Sequence, residues 1–318
     1  MARVSPSDEQ VIKWYDELSN WGRWGKDDYL GTLNLITPDK KLQAASLVKE
    51  GINISCSYPI RFNEHNLDDG HPEPRHYMTN TPDRNLDKVG NSGTGDIVVL
   101  NCHGLTLTHL DSPCHYMFKP ALDRPLTGFN GLLPTVVNQR EGATKGSVTL
   151  AGSGIVSRGV LLDIARAKGV DWLEPGTPIF PEDLEEAEAK QGVKVGPGDV
   201  LCIRTGHGSR KRKEGWNSRP GEQAGPDGAM LPWMKSRDVA VLACDTANDW
   251  IPKREGMMAR PIHCVAIPSM GMWLIDGGDY EELGEQCARL NRWEYMFVIP
   301  PLKLSGGSAS PVNPIAIL

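Results

Sequence analysis

No run of apolar residues in this chain approaches the roughly 20 needed to span a bilayer. The first residues, "MARVSPSDEQVIKWYDEL", lack the apolar centre of a secretion signal, so a cytoplasmic location is the expectation. Positive charge is also in short supply: 34 Lys and Arg stand against 40 Asp and Glu, for a formal charge of −6. A nucleic-acid partner calls for a basic surface, so that class is set aside, and a membrane partner with it. The one basic cluster, "RKRKEGW" from Arg210, reads as a solvated loop. The seven cysteines form no CxxC pair, which removes zinc knuckles and thioredoxin-type motifs. Scattered and odd in number, they read as small buried hydrophobes in a reducing compartment. No G-x-G-x-x-G follows a strand, and nucleotide binding loses its support. Internal repeats and low-complexity linkers are missing too.

What remains is an ordinary globular composition, 39% apolar and 23% charged, over 318 residues. That length allows a substantial core, and the expectation is a single domain over residues 1–318. Residues 1–36 read as an N-terminal helix from Ser7 or Asp8 to about Leu18, followed by a Trp-rich arm containing Trp21 and Trp24. A second helix opens with Thr37 as N-cap and Pro38 at its first position, and Gly51 ends it. "PEDLEEAEAKQG" and "DYEELGEQCARLN" are further helices. "INISCSYPI", "GIVSRGVLLDIA", "GDVLCIRTG", "DVAVLACDTA", "PIHCVAIPSMGMWLIDG" and "YMFVIPPLKL" read as strands or strand-like runs, the last closing the chain. Residues 63–95, with His65, His71 and His76, read as a long surface excursion, a lid or partner-binding arm. Strands outnumber helices without regular βαβ alternation, which predicts an α+β or mixed sheet around one core.

The chemistry concentrates in "HGLTLTHLDSPCH", residues 103–115, which holds three of the eight histidines and an aspartate. "DIVVLNCHGLTLTHLDS" reads as one long strand or as two joined by a bend. In a strand, alternate side chains share a face, so His103, Leu105, Leu107, His109 and Asp111 would point one way and Thr106 and Thr108 the other. Pro113 then bends the chain, and His115 follows four residues after Asp111. A lone strand histidine is ordinarily a satisfied core or surface residue. Three of them with an aspartate, two in a tight H-x-D, form a donor set that suits Zn²⁺ or Mn²⁺. Cys114 beside His115 invites a Cys/His nucleophile, but neighbours in a strand face opposite ways. Asp245 and Asp249 in "DTANDW" read as turn or cap residues that support a site. Tyr116, Phe118, Phe129, Trp233 and Trp273 are candidates to line a pocket, and Arg204 and Arg260 to bind a carboxylate.

"THLDSPCH", Thr108 to His115, resembles the cyclase family of metal-dependent hydrolases, which includes kynurenine formamidase and isatin hydrolase. Their signature is H-x-G-T-H-x-D-x-P-x-H. Thr108, His109, Asp111, Pro113 and His115 match it position for position. The leading His falls on Leu105 and the Gly on Leu107, while a histidine stands two residues earlier at His103. "RGVLLDI", "GDVLCIRTG" and "ACDTAND" also look like strands of this family. The similarity runs from about Trp21 to about Leu290.

The resemblance implies a swivelling β/β/α fold, a mixed β core with helices outside, assembled as a homodimer or homotetramer. It implies His109 and Asp111 as metal ligands, and His103 is the substitute for the missing one, or else bonds a nearby loop. A histidine and an acidic residue from the C-terminal region fall on His263 and Asp276, with Asp279 and Glu281 as alternatives to Asp276. His115 and His263 are the catalytic candidates with one metal ion; with two, they would be ligands of the second and Asp111 would bridge. The Trp-rich arm either reaches a partner subunit and walls its active site, or packs on its own core. Three functions stay open. The first is a metal-dependent hydrolase that opens a cyclic or aryl amide, a formamide or a lactone. The second is a ring-forming or dehydrating enzyme on the same scaffold. The third is a binding protein with a degenerate metal site.

Overall fold

The computed structural model describes residues 3–62, 72–83, 90–104, 107–216, 218–219, 221–251 and 256–318. Its centre is a nine-stranded sheet. Across the sheet the strands run in the order Asn53–Ser55, Ile315–Ile317, Glu294–Ile299, Ile155–Asp163, Val200–Arg204, Val241–Cys244, Trp273–Asp276, His109–Asp111 and Ala309–Pro311. The four strands from Ile155–Asp163 to Trp273–Asp276 are mutually parallel, and every other pairing within this sheet is antiparallel. The α+β reading with a mixed β core therefore holds.

The parallel strands explain their own sequences. Val200–Arg204, Val241–Cys244 and Trp273–Asp276 are buried at every residue, because helices and loops cover both sheet faces. Such strands read as continuous apolar runs, which is how they stand out in the sequence. Their carboxyl ends carry the polar residues Asp163, Arg204, Asp245 and Asp276. Asp245 follows its strand directly and accepts the backbone N–H groups of Thr205, Gly206 and His207 at 2.9–3.2 Å. Its supporting role is that of a cap on the next loop.

Helix Asp8–Glu17 is capped by Ser7, whose hydroxyl accepts from the Gln10 N–H at 3.2 Å. Helix Pro181–Gln191 starts on Pro181 and stops at Gly192, whose φ of 66° only glycine adopts readily. Helix Glu281–Leu290 also forms where expected.

Four expectations need correction. Helix Pro38–Ala45 ends six residues before Gly51, since the Ser46 hydroxyl turns back to the Gln43 carbonyl and breaks the ladder. "RKRKEGW" is not a solvated loop: helix His207–Glu214 carries it, and Arg210 and Lys211 are each only 1% exposed. Lys211 Nζ donates to the Trp216 and Ser218 carbonyls and Arg210 Nη2 to the Glu222 carbonyl, so these cations staple the following loop. "PIHCVAIPSMGMWLIDG" is a helix, Pro261–Ala266, and then a strand. Two strands follow "YMFVIPPLKL", so it does not close the chain. Of the two readings of the segment leading to the histidine motif, the structure has the second, two separate strands: Gly95–Val99 pairs with Arg75–Asn80 in an exposed ribbon, and only His109–Asp111 joins the main sheet. Leu105 and Thr106, like His65 and His71, lie outside the described residues.

The N-terminal arm packs on its own chain. Trp14 lies against the core, and the Trp21 indole donates to the Pro268 carbonyl at 2.8 Å. Among the described residues, no helix is long and apolar enough to cross a membrane.

Candidate metal centre

The site lies at the carboxyl end of the parallel strands, near one edge of the sheet. There the short strand His109–Asp111 fits between Trp273–Asp276 and Ala309–Pro311. Residues two apart on a strand share a face, so His109 and Asp111 project together. Antiparallel pairing sets Asp276 directly opposite His109 and adds it to the group. The strand is short for a clear reason. Ser112 leaves the ladder to bond the Ser308 carbonyl through both its N–H and its hydroxyl, and Pro113 cannot donate. The tight turn that follows, closed by the His115 N–H on the Ser112 carbonyl, folds His115 back over Asp111. Thr108 points the other way, donating to the Gly277 carbonyl at 2.6 Å and accepting from the Tyr58 N–H.

His103 arrives differently from the strand parity expected of it. Gly104 adopts a φ of 101°, a backbone state open to glycine, and the chain turns there. His103 Nε2 meets the Ser308 hydroxyl at 3.0 Å, so it does bond a nearby loop. Its Nδ1 faces Asp111 Oδ1 at 3.2 Å. Its ring stacks on that of His115, centroids 4.0 Å apart. His263 comes from helix Pro261–Ala266, and its Nδ1 meets Asp249 Oδ2 at 2.8 Å.

The six predicted site residues thus converge, and they do so around Asp111. On the Oδ1 side stand His103 Nδ1 and, at 3.6 Å, His109 Nε2. On the Oδ2 side stand His115 Nε2 at 3.6 Å and His263 Nε2 at 3.9 Å. Asp276 Oδ2 lies 3.6 Å from His263 Nε2. Ligands held about 2.1 Å from one cation in tetrahedral array lie about 3.4 Å from each other, which is the spacing seen here. His103, His109 and Asp111 form one potential cation-binding group, and Asp111, His115 and His263 a second. Both carboxylate oxygens of Asp111 and His103 Nδ1 are buried and lack a hydrogen-bond partner. A buried, unpartnered carboxylate is costly unless a cation meets it, so the donor set fits a divalent metal.

The electrostatics agree. Burial pushes the Asp111 carboxyl up, yet the imidazoles of His115, His109, His103 and His263 outweigh it and hold the group below the usual carboxylate range. Burial, with the other imidazoles, pushes His115 down to about 4, despite Asp111. His115 is therefore neutral at neutral pH, with a lone pair to offer. Burial would lower His263 too, but Asp249 and Asp276 prevail and raise it to about 10. A cation at that nitrogen must displace a proton.

Other candidates fall away from this centre. Arg204 is bound to Asp163 and Glu281 and is not offered to a carboxylate. Asp279 and Glu281, the alternatives to Asp276, pair with Arg212 and Arg204. Cys114 is buried against Leu132 and Ala143, with its thiol pushed up by burial, which ends the nucleophile reading. Of the five aromatics, Tyr116 stands at the centre, its ring 5.5 Å from that of His263 and 5.6 Å from that of His115. Phe118 packs on Tyr15, while Phe129, Trp233 and Trp273 are core. Ser308 fastens both arms of the motif, and no local sequence pattern marks it.

Residues 41–248 match the model of the family described as "Putative cyclase". Among curated proteins, none matches the chain. Among solved structures, one described as a novel cyclase is 29% identical with a TM-score of 0.84, over 96% of this chain and 99% of that one. Isatin hydrolase A from Labrenzia aggregata is 16% identical with a TM-score of 0.59, over 86% of this chain and 94% of that one. A predicted metal-dependent hydrolase from Bacillus stearothermophilus is 17% identical with a TM-score of 0.51, over 83% and 97%. With a family match over most of its length and the same mixed-sheet fold, the chain belongs to the cyclase family.

Proposed function

We propose that the protein is a hydrolase that uses two divalent cations sharing Asp111 to open a cyclic amide or a lactone. The observation that carries the reading is the pair of buried, unpartnered Asp111 oxygens, each faced by two imidazole nitrogens. His103 and His109 would hold the first cation with Oδ1. His115 and His263 would hold the second with Oδ2, and Asp276 would complete it. Imidazole and carboxylate donors suit Zn²⁺ and Mn²⁺. When bound, such ions lower the pKa of a coordinated water towards about 7 and polarise a carbonyl.

The chain's own residues fit that chemistry. The His109 ring is fixed by its Nδ1 on the Leu107 carbonyl at 2.9 Å, which presents Nε2 inward. His109, Asp111, His263 and Asp276 are 0–3% exposed and form a floor closed to solvent. His103 and His115 keep 26% and 20% of their side chains exposed and form the mouth. The Tyr116 ring gives a flat substrate a face to lie on. The fold shared with isatin hydrolases supports a cyclic amide as substrate class.

A one-cation form of the reading rests on the partial exposure of His115, which would then be free to carry a proton from water to the leaving group. Metal analysis of His115→Ala decides. Loss of half the bound metal supports two cations; full metal with lost activity supports one. Ring opening of isatin, formylkynurenine and simple lactones tests the reaction class. A wild type that binds neither Zn²⁺ nor Mn²⁺, and gains no thermal stability from them, rejects the reading in favour of a binding protein.

A further inference from the structure

We infer that Asn248 and Asp249 form a clamp that sets the affinity of the second cation position and leaves the first untouched, an inference that rests on the two-cation reading above. Both residues are fully buried and follow the strand Val241–Cys244 within one turn. Asn248 has a φ of 43°, an uncommon state for a side-chain-bearing residue. The turn lets the two adjacent side chains reach different elements.

The Asn248 amide donates to the Ile275 carbonyl at 2.8 Å and to Asp276 Oδ1 at 2.5 Å. That bond occupies one oxygen of Asp276 and leaves Oδ2 facing His263. Asp249 accepts the Ile262 and His263 backbone N–H groups at 3.3 and 3.4 Å and meets the His263 ring at Nδ1. One carboxylate thus anchors the start of helix Pro261–Ala266 and turns His263 Nε2 towards Asp111. A charged partner on the far nitrogen also makes an imidazole a stronger ligand. The first position is held by other means: the Leu107 carbonyl fixes His109, and the Ser308 hydroxyl fixes His103. Neither of those contacts involves Asn248 or Asp249.

Calorimetric titration of Mn²⁺ or Zn²⁺ alone into the chelator-stripped full chain tests this, with metal-free melting as the check on folding. Asp249→Asn keeps the shape and removes the charge. Asn248→Gly suits the backbone and removes the amide. In each variant the second binding event should weaken by about 10- to 100-fold while the first stays as in wild type. Unchanged affinity at both positions, or equal weakening of both in a folded variant, overturns the inference and leaves the two-cation reading standing. A wild type that takes up one cation or none overturns that reading and this inference with it. If Asp249→Asn does not fold, Asn248→Gly carries the same test.

Discussion

The sheet carries two buried polar clusters at the same end, and they are finished differently. In one, Asp163 and Arg204 face each other across neighbouring strands and Glu281 closes on the other side of the guanidinium. In the other, Asp276 and His109 face each other in the same manner, and Asp111 gathers four imidazoles. The first brings its cation in the sequence. The Arg204 guanidinium, its pKa raised further by Asp163 and Glu281 against the pull of burial, stays charged at every working pH. The second gathers lone pairs around a buried carboxylate and brings no permanent cation of its own. An arginine makes a structural joint, and a ring of histidines makes a place for something to bind.

The sharpest way to break that contrast is to remove one centre from each cluster. Arg204→Ala should cost about 3–5 kcal/mol of stability in urea unfolding, because it leaves buried carboxylates unpaired, and added metal should not restore it. Asp111→Ala should cost the metal-free protein clearly less than Arg204→Ala does, because the imidazoles around Asp111 already offset part of its burial, and it should abolish the metal-dependent gain. That gain should be about 2.7 kcal/mol for each cation taken up at 100 times its Kd. If metal-free Asp111→Ala is as damaged as Arg204→Ala, the two clusters are not different in kind.

His207 sharpens the comparison from the structural side. Burial, with Arg210 and Lys211 beside it, pushes its imidazole down to about 3. The unfolded imidazole takes up a proton near pH 6.5 and the folded one only near 3, so the unfolded state binds more protons between those values. The stability from keeping His207 neutral is complete above pH 6.5 and is lost as pH falls towards 3. By pH 5 the loss is about 2 kcal/mol, at about 1.4 kcal/mol per pH unit. Unfolding curves for metal-free wild type and His207→Gln should converge with acid by that amount; parallel curves reject the assignment. The smallest effect belongs to Thr108→Val. It deletes the bonds to Gly277 and Tyr58 behind the metal motif and should cost about 1 kcal/mol in the same assay.

Much of this was legible along the chain. The parallel strands announce themselves because burial on both faces demands unbroken apolar runs. Pro181 and Gly192 bracket their helix because each has a backbone preference that acts locally. The tight spacing of His109, Asp111, Pro113 and His115 marks a donor cluster by itself. Arg210 and Lys211 read as solvated charges, since nothing local reveals that carbonyls from Trp216, Ser218 and Glu222 will close over them. The helix bearing His263 looked like a strand because a short, wholly buried helix has no polar face to show its period.

The sequence by itself determined which side chains could hold a cation, where the sheet's centre runs and which segments cap or break. Tertiary structure decided the rest. His103, not a residue at the family's usual spacing, reaches Asp111, because Gly104 turns the chain and Ser308, some 200 residues away, holds the ring. His263 and Asp276 are linked through one turn, where Asn248 bonds Asp276 and Asp249 bonds His263. Ligand chemistry belongs to residue type, which a sequence states; the aim of a lone pair depends on partners distant in the chain, which only folding brings near.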